Sequence, residues 1–419
     1  MNDQEGIRKP APWKSFLIFL SIMGPGIITA NVDNDAGGIT TYSVAGAHFG
    51  YSMLWVFLPM AVALIVIQEM CSRMGVVTGK GLADLIREKF GVKVTFYAML
   101  AFIISNLTNT VSEFSGIAAS CEIFGIPRYV SLPIAAVLVW WIVVKGTYKS
   151  VEKIFLAACV FYFSYIITGF MGHPDWGAVL KEASHPMFSW RQDYIFMLMG
   201  VIGTTIAPWM QFYQQSAVVE KGIPVKDYKY ARLDVIIGGI VVSIVAVFII
   251  ISCAATLFKS GIRIENAKDA ALALRPLAGD HCASLFAFGL LNASLFSAMI
   301  LPLATAYSVC EGLGWETGVD KRLKEAPQFY FLFTALIIIG AGVIMMPGVN
   351  LVMVMLVSQA ANSVFLPFVL VFMIILINDK HLMGEYRNSV FFNVVSWATC
   401  MIVAGLTIAL AVTAFLPKR

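Results

Sequence analysis

Asn31-Val32-Asp33-Asn34-Asp35-Ala36-Gly37-Gly38 sets two carboxylates and a glycine pair inside a run otherwise apolar enough to cross a bilayer. An ionisable side chain at that depth costs roughly 2.5–3.5 kcal/mol or more unless something pairs with it. Glycines supply the other half of the reading. They let the backbone leave the helix, and non-helical backbone is tolerated in a membrane only where it lines a cavity or lies buried in protein. The stretch therefore reads as a broken helix that holds a cation, with the break over Asp35 to Gly38.

Outward from it, the whole chain is apolar. With 419 residues, 59% of them hydrophobic and only 13% charged, and a mean hydropathy of +0.81, it far exceeds a soluble domain and reads as an all-α polytopic membrane protein whose partner is the lipid bilayer. Residues 1–14 are charged and polar, no small-residue cleavage site follows the first apolar run, and the first span is expected to remain in the mature protein. The net charge of +4 comes from basic residues scattered among the loops, so nucleic acid is not an expected partner. Seven cysteines without a CxxC pair read as free buried thiols.

A bilayer core takes about 20 apolar residues per helix. Eleven stretches qualify, near 15–47, 52–72, 94–121, 130–145, 150–172, 193–219, 231–258, 282–309, 328–346, 350–377 and 390–416. Connections are short, the longest being 173–192 and 259–281, which leaves no soluble domain to carry the function. Most of the 29 Lys and Arg residues fall on the side of the N-terminus. The positive-inside bias then puts the N-terminus in the cytoplasm and the C-terminus outside, as expected for a multi-pass protein of a cell (inner) membrane.

A second span is interrupted. Gly203-Thr204-Thr205-Ile206-Ala207-Pro208-Trp209-Met210 carries a proline mid-span, where it removes a backbone hydrogen bond. Two interrupted spans in corresponding places of two halves point to a transporter built from inverted repeats. The first repeat would cover 15–172, the second 193–377, and 390–416 would be an added eleventh helix.

These residues resemble a family. Gly24-Pro25-Gly26, Asp35-Ala36-Gly37-Gly38, Ala45-Gly46-Ala47, Gly50-Tyr51, Leu54-Trp55, Gly75 to Lys80, Leu82-Ala83-Asp84, Arg87-Glu88, Glu113-Phe114, Gly203 to Pro208, Ser358-Gln359 and Leu366-Pro367-Phe368 look like Nramp divalent-metal transporters, in order along most of the chain. The resemblance implies a LeuT-type fold, with the first and sixth spans broken at the midplane around a metal site. The departures matter as much. Where the family has Asp-Pro-Gly-Asn, this chain has Asp35-Ala36-Gly37-Gly38; where it has Met-Pro-His, this chain has Ala207-Pro208-Trp209. Gln214 stands for a second histidine and Thr110 for an aspartate.

Loss of a thioether removes the soft donor that favours transition metals, whereas Mg²⁺ prefers oxygen and keeps several waters. The expected metal ligands are Asp35, Gly38, Thr204 and Ala207 through backbone or carboxylate oxygen, and Gln359 through its amide. The cargo is then largely hydrated Mg²⁺, with Mn²⁺ also accepted, as in the Nramp-related magnesium branch. Asp33, Asn34, Glu113, Trp209 and Gln214 are expected in the vestibule or behind the ligands. Asp33 would point about 200° away from Asp35 on an intact helix, and Asn31 with Asn34 could cap the break. Trp209 reads either as a wall of the path or as packing, and Glu113 either as a vestibule acid or as a structural carboxyl. Since Trp209, Gln214 and Thr110 do not titrate near neutrality, proton coupling is not expected. No resident cofactor and no enzymatic activity are expected, and a monomer is the expected working unit. The alternatives are a proton-coupled Mn²⁺/Fe²⁺ importer and a sodium-coupled amino-acid carrier of LeuT fold. The second is disfavoured because Asp35 would repel a substrate carboxylate. Glu69 and Arg73, four apart, read as an inner-end ion pair, and Gly81 to Phe90 as an interfacial helix.

Overall fold

The computed structural model describes residues 26, 29, 32–145, 159–319 and 321–415. Every regular element among them is helical, and besides short connecting helices they are α1 (Ala36–Phe49), α2 (Phe57–Thr78), α3 (Leu82–Ile123), α4 (Arg128–Val144), α5 (Phe163–Met171), α6 (Gln192–Thr205), α7 (Pro208–Glu220), α8 (Tyr228–Cys253), α9 (Cys282–Leu313), α10 (Pro327–Ile344), α11 (Leu351–Asn378) and α12 (Val390–Phe415). Eight stretches are long and apolar enough to cross a membrane, α6 and α7 counting together as one, and α4 is a shorter apolar helix. Of the remaining two of the eleven expected spans, the first and the fifth, unbroken α-helix is described from Ala36 and from Phe163 onward, with short helical pieces before each; Asn31 and most of the first half-span lie outside the described residues.

Burial is arranged for lipid. Ser105, Asn106, Asn109, Ser112 and Glu113 on α3 are buried, while Ile134 and Val137 on α4, Phe331 and Ile338 on α10 and Met401 on α12 stand exposed. A bilayer rewards this inversion, because apolar side chains lose nothing facing hydrocarbon and polar groups need partners inside the bundle. The long α3 runs through the centre and packs along α9, α10 and α11; α6 lies against α11, and α8 against α1 and α2.

Gly91 at φ +81° kinks α3. Its first arm, up to Phe90, is the amphipathic run expected at the interface, and Lys89 Nζ meets Asp379 at 2.5 Å to fasten it beneath α11. The Glu69–Arg73 pair forms at 3.1 Å. Arg73 goes further than the sequence suggests, donating to the carbonyls of Tyr386 and Arg387 and to Asn388 Oδ1 at 2.6 Å, so that α2 is tied to the turn before α12.

Candidate metal centre between the broken spans

The first break covers Asn34 and Asp35, ahead of the glycines where it was expected to extend. Val32 and Asp33 are helical, Asn34 and Asp35 are not, and α1 starts at Ala36. Gly37 and Gly38 therefore form the first turn of α1 and are not the break itself. The cause is a side-chain cap: Asp35 is extended (φ −70°, ψ −174°) and its carboxylate accepts the Gly38 N–H at 2.6 Å, satisfying a donor that a helix start leaves free. Glu113 Oε2 accepts the Ala36 N–H at 3.3 Å, and its carboxyl lies beside that of Asp35. Two acids thus converge on the positive end of α1, where the helix dipole favours them. The Asn34 carbonyl takes the Tyr162 hydroxyl at 2.8 Å.

At the second break α6 ends on Thr205, Ile206 leaves the helix (φ −126°, ψ 62°), Ala207 is extended, and Pro208 opens α7 at the position where its missing N–H costs nothing. This break is neutral and closed upon itself. The Ala207 carbonyl accepts the Met210 N–H at 3.1 Å, and the Gln211 amide nitrogen, in the orientation that satisfies it, at 2.6 Å.

The glycines matter for what approaches them. A Cβ on Gly38 would stand 2.6 Å from the Asp33 carbonyl oxygen, 3.1 Å from Thr204 Oγ1 and 3.4 Å from Asp35 Oδ1. The face of Gly38 is therefore lined closely by three oxygens from both broken spans, with no room for a side chain there. A Cβ on Gly37 would collide with Gln359 Nε2, so only glycine admits this side chain of α11 against the start of α1. Tyr42 and Thr205 join the two spans by a 2.6 Å hydroxyl–hydroxyl bond.

Asp35, Gly38, Thr204 and Gln359 meet at this place, with Glu113 behind Asp35, but not always through the expected atoms. Gly38 offers its N–H to Asp35, which is a donor's role. Thr204 brings a hydroxyl, buried and without a hydrogen-bond partner among the described residues, where a carbonyl was expected. Gln359 turns its nitrogen toward α1, because its oxygen accepts from Asn362 at 2.9 Å, and Asn362 is paired reciprocally with Asn109 at 2.9 and 3.0 Å. Presenting the oxygen means turning all three amides together, since each orientation follows its neighbour's. Ala207 spends its carbonyl inside α7. Trp209 is fully buried and tilted against Tyr213, with ring centroids 6.0 Å apart. Gln214 accepts from Thr29 at 2.9 Å, tying the first half of the first span to α7, and Thr110 donates to Asn106 of its own helix. The amides Asn109 and Asn362 were missed by sequence reasoning, since asparagines in apolar spans carry no spacing that separates pairing from isolation. Met355 was also missed: its sulfur, one turn before Gln359, accepts from Thr40 Oγ1 at 3.3 Å.

A family model described as "Natural resistance-associated macrophage protein-like" matches residues 26–413. The chain belongs to the Nramp family. Its curated relatives include the divalent metal cation transporter MntH of Bacillus subtilis, 27% identical over 414 residues that cover 96% of this chain and 94% of the relative. Among solved structures, an Eremococcus coleocola manganese transporter superposes with a TM-score of 0.78 at 19% identity, covering 98% of this chain and 91% of that one. The nucleobase-cation-symport transporter Mhp1 follows with a TM-score of 0.57 at 14% identity, covering 93% of each. This Nramp protein thus has the LeuT-type helical fold. It is a multi-pass membrane transporter of divalent metal and not an enzyme, the metal being substrate and no cofactor being indicated.

Proposed function

We propose that this Nramp protein carries Mg²⁺, and Mn²⁺ as a second cargo, into the cell through the space in front of Gly38, as a partly hydrated ion and without a coupled proton. One observation carries the reading: oxygen atoms of Asp33, Asp35 and Thr204 surround a position where only a hydrogen atom stands on the α-carbon. Such a convergence of hard donors suits an ion that prefers oxygen and sheds water reluctantly. The Met355 sulfur is engaged by Thr40, and the residue before Pro208 is alanine, so soft metals find no ready thioether. Water fills the coordination positions that the protein leaves open.

Absence of coupling is supported by Gln214 and Thr110, neutral groups already hydrogen-bonded at two positions where proton-coupled members of the family are expected to titrate. The membrane potential alone supplies about 4.6 kcal/mol per 100 mV for a divalent ion, twice the single-charge figure. The protein works in this reading as a monomer in an inner membrane, N-terminus cytoplasmic, with 15–172 and 193–377 as the two repeats that rock about the site.

A proton-coupled Mn²⁺ importer is the second reading. It is favoured by the Glu113 carboxyl beside Asp35 and by the manganese transport named for the Eremococcus structure. Proteoliposomes holding a Mg²⁺ dye and a pH dye separate the two. Mg²⁺ uptake without acidification, lost in Asp35→Ala, supports the first; Mn²⁺ uptake with acidification and no Mg²⁺ competition establishes the second.

A further inference from the structure

Asp33 has no role in the hydrogen bonding of either break. Its side chain is 2% exposed, and neither carboxylate oxygen has a hydrogen-bond partner among the described residues. Asp35 uses an oxygen to cap α1, and Glu113 uses one on Ala36, so both acids have a structural reason to be there. Asp33 has none. Among the described residues the charge that acts on it is that of Asp35, and both acids lie near Tyr42, whose hydroxyl bridges to Thr205 at the end of α6. Its own carbonyl oxygen already lines the space in front of Gly38.

A carboxylate buried without a partner destabilises a protein, and evolution has cheaper residues for a helix end inside a membrane. Helical geometry alone would turn Asp33 away from Asp35, but the helix ends at Asp33, and the turn at Asn34 with the extended backbone of Asp35 removes that constraint. The hydroxyl of Thr204 and the amide oxygen of Asn34, also without hydrogen-bond partners among the described residues, flank the same break, so the polar atoms left over at this place are mostly oxygens.

We propose that Asp33 is a second carboxylate ligand of the transported ion, meeting it beside Asp35 in the space in front of Gly38, and that the doubled charge selects divalent over monovalent cations. The inference rests on the metal-transport reading above and adds to it the charge of the site. A dication beside two carboxylates is neutralised locally, whereas Na⁺ or K⁺ leaves a residual charge in a low dielectric.

The test uses the full-length protein in detergent and in proteoliposomes, with Asp33→Asn as a shape-preserving loss of charge. Thermal unfolding is followed without divalent ion and with Mg²⁺ or Mn²⁺ added, and flux of each ion is measured. If Asp33 is a ligand without a structural partner, the variant melts at or above the wild-type temperature in the absence of divalent ions. Its ion-induced rise shrinks, and KM for the transported ion increases about tenfold or more, the range seen when groups around a metal are removed. Excess K⁺ then inhibits the variant more than the wild type. A structural acceptor gives the reverse: lower stability without metal, an unchanged ion-induced rise and unchanged KM, and the proposal is overturned. The two readings fail separately. Wild-type protein that responds to Mn²⁺ alone removes the magnesium assignment and leaves Asp33 to be judged with Mn²⁺; protein that responds to both ions with an indifferent Asp33→Asn removes only the second carboxylate. Wild-type protein that takes neither ion overturns both.

Discussion

The two broken spans solve one problem in opposite ways. At the first, charged side chains satisfy the backbone: Asp35 caps Gly38 and Glu113 takes the Ala36 N–H, and oxygens without hydrogen-bond partners among the described residues are left over. At the second, the chain satisfies itself without charge, with Pro208 needing no partner and the Ala207 carbonyl held by Met210 and Gln211. In the proposed reading one break receives the cation and the other holds a shape. The difference shows that an interruption in a membrane helix does not by itself make a ligand; the unspent acceptors do.

The comparison breaks most readily at Asp35. Asp35→Asn keeps an oxygen for the cap but removes the charge, so folding yield and melting temperature are expected near wild type while metal flux falls by about a hundredfold or more. Flux retained in that variant, measured by dye uptake in proteoliposomes, would mean that the ion does not use the first break. Gly37→Ala comes next. Its methyl meets Gln359 Nε2, and overpacking of this kind costs about 1–3 kcal/mol. Lower thermal stability together with reduced flux is expected, and rescue by Gln359→Ala would locate the cause in that contact.

Ala207→Met sharpens the contrast by placing a soft donor at the neutral break. Competition of Cd²⁺ against Mg²⁺ uptake is expected to strengthen by about tenfold, equal to roughly 1.4 kcal/mol. No change in the ion order would show that this position faces away from the ion. The smallest effect belongs to Gln211→Leu, which takes a hydrogen bond from the Ala207 carbonyl. Stability is expected to drop by about 1 kcal/mol in a denaturation series, with KM for the metal nearly unchanged, because that carbonyl acts within α7. A large change in KM would move Ala207 back among the ligands.

Much of this molecule is legible without coordinates. Composition and the 20-residue apolar rhythm identify a polytopic bundle, since a bilayer dictates length and polarity independently of packing. Asp35 betrays itself by charge at a depth where charge is costly, and Pro208 marks the second interruption because its missing N–H acts locally. Glu69 with Arg73 is equally local, a pair fixed by helical spacing.

Tertiary structure alone decided which atoms face the site. Sequence placed the first break on the glycines, whereas capping by Asp35 moved it ahead of them and left Gly37 and Gly38 to admit Gln359 and the three oxygens. The Gln359 nitrogen in place of its oxygen and the bond that joins the two broken spans depend on partners from distant segments: Asn109 is 253 residues from Asn362, and Tyr42 is 163 from Thr205. The sequence by itself determined the bundle, the two interruptions and the carboxylate at the first of them, because those follow from local chemistry in a membrane. The donors left free for an ion were settled by packing, because a polar atom is free only after every neighbour that three dimensions bring to it has been counted.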